Sequence, residues 1–200
     1  MSDKIVIFDV DEVLLSFWQA MKGEYQNFIG RILSNEEADA TISDYLHNPM
    51  KYRDFGCYFE KTKVLQHLPA IDGMPEVVKR LRNEAGCDLA IVSAISSLPE
   101  VLEMRKQNLK EIFGDVFNPV VCIRREQSKE AVLREVVAGY DMSFFVDDNP
   151  RNLQAVEGIV TYRVWMANKY HQFIWDAIDH SRMSVLYNSR DILDYVLAKI

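Results

Sequence analysis

The chain has 200 residues, 48% hydrophobic and 26% charged, enough for one well-filled core plus an insertion. A net charge of −7 and a pI near 5.2 argue against a nucleic-acid polymer or an anionic membrane as the main partner. No apolar run approaches the ~20 residues of a membrane span, MSDKIVIF is too short and too soon acidic for a signal peptide, and Cys57, Cys87 and Cys122, odd in number and lacking a CxxC pair, read as reduced thiols of a cytoplasmic protein.

In chain order, the first expected element is a strand, IVIF (5–8), which runs straight into Asp9, Asp11 and Glu12. Residues 16–72 come next, with helical rather than strand periodicity. SFWQAMKGEYQNFIGRIL and KYRDFGCYFEKTKVLQHL read as amphipathic helices, and Ser34 with Glu37 forms a capping-box pattern between them. Short apolar runs then return: LAIV (89–92), VVCI (120–123), SFFV (143–146) and IVTYRV (159–164). Helical patterns separate them, opened by Pro75, Pro99, Ser128 and Pro150, with Gly86 and Gly139 as stops. A last helix, DILDYVLAKI, is expected with Ser189 as its cap. Near-continuous apolar strands alternating with helices predict an α/β fold, a Rossmann-like parallel sheet covered on both faces.

Ligands of such a sheet bind beyond the carboxyl ends of its strands, so the residues just after each apolar run carry the chemistry. Asp9 and Asp11 come after the first run, Ser93 and Ala94 after the second, Lys129 after the third and a short loop, and Asp147 and Asp148 after the fourth. Each alone has an ordinary reading: a DxD or DDNP turn, a strand-end hydroxyl, a solvated lysine. Together they bring four carboxylates and one lysine to a single edge. Crowded carboxylates demand a counter-ion, and oxygen-only ligation suits Mg²⁺ shared with a phosphate. Asp9 and Asp11 lie two apart, so an extended backbone points both to one side. Ser96 competes with Ser93 as a phosphate contact, and Arg124 and Arg125 compete with Lys129.

The hhhhDxD start, hhhhS, isolated lysine and hhhhDD, taken as a set, resemble the four motifs of the haloacid dehalogenase (HAD) superfamily, with the likeness covering about residues 3–15 and 73–200. The resemblance implies a catalytic core of residues 1–15 and 73–200 and a helical C1-type cap of residues 16–72. It implies a phosphatase in which Asp9 is the nucleophile and forms an aspartyl-phosphate, and Asp11 is the general acid and then the base. Mg²⁺ would be held by Asp9, the backbone carbonyl of Asp11, Asp147 and Asp148. Ser93 and Ala94 would meet the phosphoryl group and Lys129 would neutralise charge there. FDVDEVLLSFW and IVSAIS also resemble 5′(3′)-deoxyribonucleotidases, which leaves a nucleotide, a sugar phosphate or another small phosphate ester open as substrate. A phosphomutase would need the same residues, and a phosphate-binding module without turnover is the non-enzyme alternative.

One residue departs from the resemblance. The family usually has Gly after the second Asp, and here it is Glu12, which either crowds the turn or adds a fifth acid near the phosphate. In the insertion, most of its rings are expected to pack the helices themselves; Phe17 and Trp18 sit just past the acidic loop, where a hinge would be, and one or two rings of the insertion could face the cleft. Arg31, Lys51, Arg53, Lys61 and Lys63 read as mainly solvated, and His47 and His67 lack a partner at metal spacing.

Overall fold

The computed structural model describes residues 2–96, 98–124, 127–170 and 179–200. Six strands form one parallel sheet in the order β3-β2-β1-β4-β5-β6: β1 (Lys4–Phe8), β2 (Asp88–Ala94), β3 (Val120–Ile123), β4 (Met142–Asp147), β5 (Tyr162–Met166) and β6 (Ser184–Leu186). The chain winds outward from β1 in both directions, so the strand order reverses between β1 and β4. That is the switch point at which open α/β sheets form their crevice.

Both faces of the sheet are covered, as the apolar strands require. Val6 and Phe8 of β1 join one core with residues of α4 (Met74–Asn83), α5 (Pro99–Phe113) and α8 (Ser189–Leu197). Ile5 and Ile7 point the other way, into a core with Leu133 of α6 (Glu130–Val136) and Leu153 of α7 (Pro150–Ala155). The period of two along a strand thus gives β1 two buried faces.

Between β1 and α4 the chain forms α1 (Phe17–Ile29), α2 (Asn35–His47) and α3 (Arg53–Phe59), with 3₁₀ turns at Pro49–Tyr52 and Lys63–Gln66. Gly30 closes α1 at φ 65°, the left-handed region open to glycine. Ser34 and Glu37 complete the expected capping box of α2. The segments entering and leaving this region are paired: Ser16 N donates to Pro69 O and Ile71 N to Leu14 O, both at 2.9 Å.

Three expectations are corrected. KYRDFGCYFEKTKVLQHL is not one helix but a 3₁₀ turn, α3 and a second 3₁₀ turn. The strand expected at 159–164 begins only at Tyr162. Thr161 and Ser143 instead exchange backbone-to-hydroxyl bonds, Ser143 N to Thr161 Oγ1 and Thr161 N to Ser143 Oγ, each 3.0 Å. Asn188, not Ser189, caps α8, its side chain accepting from Asp191 N, while Ser189 Oγ donates to Asp72 O at 2.7 Å. The edge strand β6 has no counterpart in the sequence pattern; it is three residues long and carries no periodic signal.

Candidate active site

The register of the sheet sets the site. Phe8 pairs with Val146, and Asp9 N continues the ladder by donating to Val146 O at 2.8 Å. Asp9 therefore lies beside Asp147, the last residue of β4. On the other flank Phe8 pairs with Ile91, which places Ser93 just beyond Asp9 on β2. Asp9, Asp147 and Asp148 are all buried, and each offers an oxygen within 4.8 Å of the others.

Lys129 precedes α6 immediately and reaches into this cluster. Its Nζ lies 2.7 Å from Asp147 Oδ2 and 3.0 Å from Asp9 Oδ2, and only 3% of the residue is exposed. A lysine so buried would lose its proton to desolvation, but the two carboxylates outweigh that and push its pKa up. Asp147 is pushed up by burial and by the Asp9 and Asp148 charges, against the pull of Lys129. One positive charge among three buried acids leaves an excess of negative charge. All the donors are carboxylate oxygens, which suits a hard divalent cation such as Mg²⁺.

Asparagines orient the acids. Asn152 Nδ2 donates to both Asp147 oxygens at 3.1 and 3.0 Å, and Asn149 N donates to Asp147 Oδ1 at 2.8 Å. Asp148 Oδ2 accepts from Asn168 Nδ2 at 3.0 Å, and its carbonyl from the buried Trp165 Nε1 at 2.9 Å. Asp9 Oδ1 accepts from Val10 N at 2.7 Å.

Asp11 is the most exposed of these acids. Arg105 Nη2 of α5 lies 2.5 Å from its Oδ1, and Arg105 is fully buried. Sequence reasoning missed this arginine, because a lone Arg in the middle of an amphipathic helix carries no signal of its own. Asn152, Asn168 and Trp165 were missed for the same reason, although Asn152 comes soon after the DDNP turn.

A cavity of about 250 Å³ opens above the acids. Asp9, Asp11, Ala94, Lys129 and Asp148 line it together with the aromatic residues Phe17, Trp18 and Tyr45. Ser93 is not among the lining residues; it is buried one position before Ala94, and its Oγ has no hydrogen-bond partner among the described residues. Ser96 Oγ already accepts from Leu98 N at 3.3 Å. Arg124 is exposed, and Arg125 lies outside the described residues. Most other rings of the insertion pack one another, as Tyr25 does on Phe55 at 5.0 Å. A larger cavity, about 520 Å³, lies between α4 and α8 and contains none of these groups.

Glu12 adopts φ 58°, the left-handed region that favours glycine. Its Oε1 accepts from Trp18 N at 2.7 Å. Burial and the Asp148 and Asp11 charges raise its pKa to about 7, partly offset by that hydrogen bond.

Comparisons with known proteins agree with this fold. Among solved structures, D,D-heptose 1,7-bisphosphate phosphatase from B. bronchiseptica, complexed with magnesium and phosphate, is similar at TM-score 0.65 and 13% identity, covering 98% of this chain and 99% of that one. A HAD-superfamily hydrolase of subfamily IA, variant 1, from Geobacter sulfurreducens PCA is similar at TM-score 0.60 and 17% identity, covering 96% of each chain. At these identities the likeness shows the shared fold. No curated protein matches in sequence. The model of the family "5' nucleotidase, deoxy (Pyrimidine), cytosolic type C protein" matches residues 3–188. The chain therefore belongs to this 5′-nucleotidase family and is a phosphatase of the HAD superfamily.

Proposed function

We propose that the chain is a Mg²⁺-dependent phosphatase of small phosphate esters, with nucleoside monophosphates as the first class to test. The observation that carries this reading is the convergence of Asp9, Lys129, Asp147 and Asp148 at a cavity also lined by aromatic rings. Asp9, Asp147, Asp148 and the Asp11 carbonyl would hold the ion, which supplies charge neutralisation for the phosphoryl group. We read residues 16–72 as a C1-type cap on a core of residues 1–15 and 73–200. Three unpaired thiols fit a reducing cytoplasm.

In this reading an Asp9 oxygen attacks phosphorus and the ester oxygen leaves, giving an acyl phosphate on Asp9. Asp11 gives its proton to the departing alkoxide, then takes one from the water that attacks the phospho-Asp9 phosphorus. Lys129 holds Asp9 in place and offsets charge on the transferring group. Ser93 Oγ donates to a phosphoryl oxygen. Phe17, Trp18 and Tyr45 receive the leaving group and exclude water, and the family match favours a pyrimidine base in that position.

The test is Asp9→Asn, assayed with 4-nitrophenyl phosphate and a panel of nucleoside monophosphates in millimolar Mg²⁺. Turnover should fall by at least ~10³-fold, the scale lost with a covalent nucleophile. Chelator should abolish the wild-type rate. Turnover unchanged in Asp9→Asn overturns the assignment.

A further inference from the structure

The residue that departs from the family pattern has a definite structural job. Glu12 sits between the acids of the site and the helical insertion. Its backbone closes the turn after Asp11, with Glu12 N donating to Leu15 O at 2.8 Å. Its side chain reaches six residues forward and accepts from Trp18 N. That N–H is one of the donors a helix start leaves unsatisfied. Ser16, in the cap position of α1, makes no side-chain cap bond of its own. Glu12 therefore caps α1 from within the loop that carries the acids.

The bond has a geometric consequence. Trp18 and its neighbour Phe17 wall the cavity that Asp9, Asp11 and Lys129 floor. The connection from Asp11 to α1 is five residues long and is also held by backbone bonds within 10–15 and by the pairing of 14–16 with 69–71, through Ile71 N to Leu14 O and Ser16 N to Pro69 O. The Glu12–Trp18 bond runs directly from the turn carrying Asp11 to the turn carrying the wall. A glycine, whose ease at φ 58° would spare the strain, cannot make it.

We infer that Glu12 is a positioning residue that fixes the Phe17–Trp18 wall relative to Asp9 and Asp11, and so sets how tightly the leaving group is held. This rests on the proposed site, because the wall matters only if the cavity takes the ester. The carboxylate acts as an acceptor in this role, not as a charge on phosphorus. Glutamine at position 12 should therefore replace it, and glycine should not.

The experiment compares wild type, Glu12→Gly and Glu12→Gln, each with Mg²⁺. Glycine suits the backbone angle, so Glu12→Gly should fold. Two substrates are used: thymidine 5′-monophosphate, large enough to meet the wall, and acetyl phosphate, too small to reach it. Glu12→Gly should raise KM for the nucleotide about five- to tenfold with kcat within about twofold, and leave acetyl phosphate within about twofold on both parameters. Amide exchange at Trp18 should speed up by at least ~10-fold. Glu12→Gln should match wild type on all three readouts. A Glu12→Gln enzyme as impaired as Glu12→Gly, a loss in kcat for both substrates, or a Trp18 amide still protected in Glu12→Gly overturns the inference. If wild type hydrolyses neither substrate, the proposed chemistry fails instead, and Trp18 exchange still decides whether Glu12 holds α1.

Discussion

Lys129 sits between Asp9 and Asp147 because each group would be intolerable alone: a buried lysine without a carboxylate, or buried carboxylates without a cation, costs several kcal/mol. The balance remains negative, and this has a pH signature. Glu12, ordinarily near 4.5, titrates at about 7, and Asp147 is pushed up from 3.8. Between the unfolded and folded values the folded chain binds more protons than the unfolded one. Stability of the metal-free protein should therefore fall as pH rises from about 4 through 7, by about 1.4 kcal/mol per unit of separation and per group at most. Most proteins with salt-bridged acids behave the opposite way over this range. On the proposed function Mg²⁺ would bind the ionised cluster, so its stabilising increment should be larger at pH 7.5 than at pH 5. Urea midpoints in chelator and in Mg²⁺ at both pH values check this, and a chelator midpoint that rises with pH counts against the acid cluster described here. At this scale the acids and the lysine were legible in the sequence because strand ends announce them. Arg105, Asn152 and Asn168 were not, because their roles arise only when α5, α7 and the segment after β5 are brought together. Glu12 was legible as an oddity, but its partner six residues on depends on the turn geometry.

Elements were legible in proportion to how local their causes are. The α2 cap is wholly local, since Ser34 and Glu37 satisfy each other's backbone N–H. Ser34→Ala removes one acceptor and should cost about 1 kcal/mol, seen as a melting temperature lower by about 2–4 °C for a chain of this size. Ser34→Asp should keep the cap and the melting temperature. Paired thermal melts of the two variants separate capping from a mere change of surface. Strand starts and short turns were less legible. Thr161 has the composition of a strand residue, yet its hydroxyl bonds to the Ser143 backbone in place of a ladder bond. The stretch 51–68, whose apolar spacing alone reads as one helix, is helical only from Arg53 to Phe59, and 3₁₀ turns at Pro49–Tyr52 and Lys63–Gln66 take up the difference. Ser189 has the composition of a cap, but Asn188 precedes it and wins the position.

On the scale of the whole molecule, the insertion between β1 and α4 must meet the sheet's carboxyl edge if one cavity is to have both an acid floor and an aromatic wall. Backbone pairing of 14–16 with 69–71 joins the two at one side. At another, Asp39 of α2 forms ion pairs with Lys22 of α1 and with Lys169 after β5, and accepts from Tyr170 OH at 2.9 Å. Lys169 and Lys22 hold the Asp39 carboxyl well below the usual carboxylate range. Tyr170 also packs edge-on against Trp18, 5.9 Å between rings, and its N–H donates to Asn168, the residue that holds Asp148. The bridge thus runs from the insertion to the acid cluster through three neighbouring residues. No sequence pattern announces it, since its partners are about 130 residues apart. Partly exposed ion pairs contribute little to global stability, about 0–1 kcal/mol, so Asp39→Asn should barely move the melting temperature. What it should change is local opening. Amides of α1 and α2 should exchange faster than in wild type, those of β1 and β4 should not, and KM should rise. Salt screens such pairs, so the difference between variant and wild type should shrink from about 50 mM to about 500 mM ionic strength. Exchange and KM measured at both ionic strengths check the prediction. A variant that matches wild type at low salt would mean that the Asp39 bridge does not hold the insertion at the site.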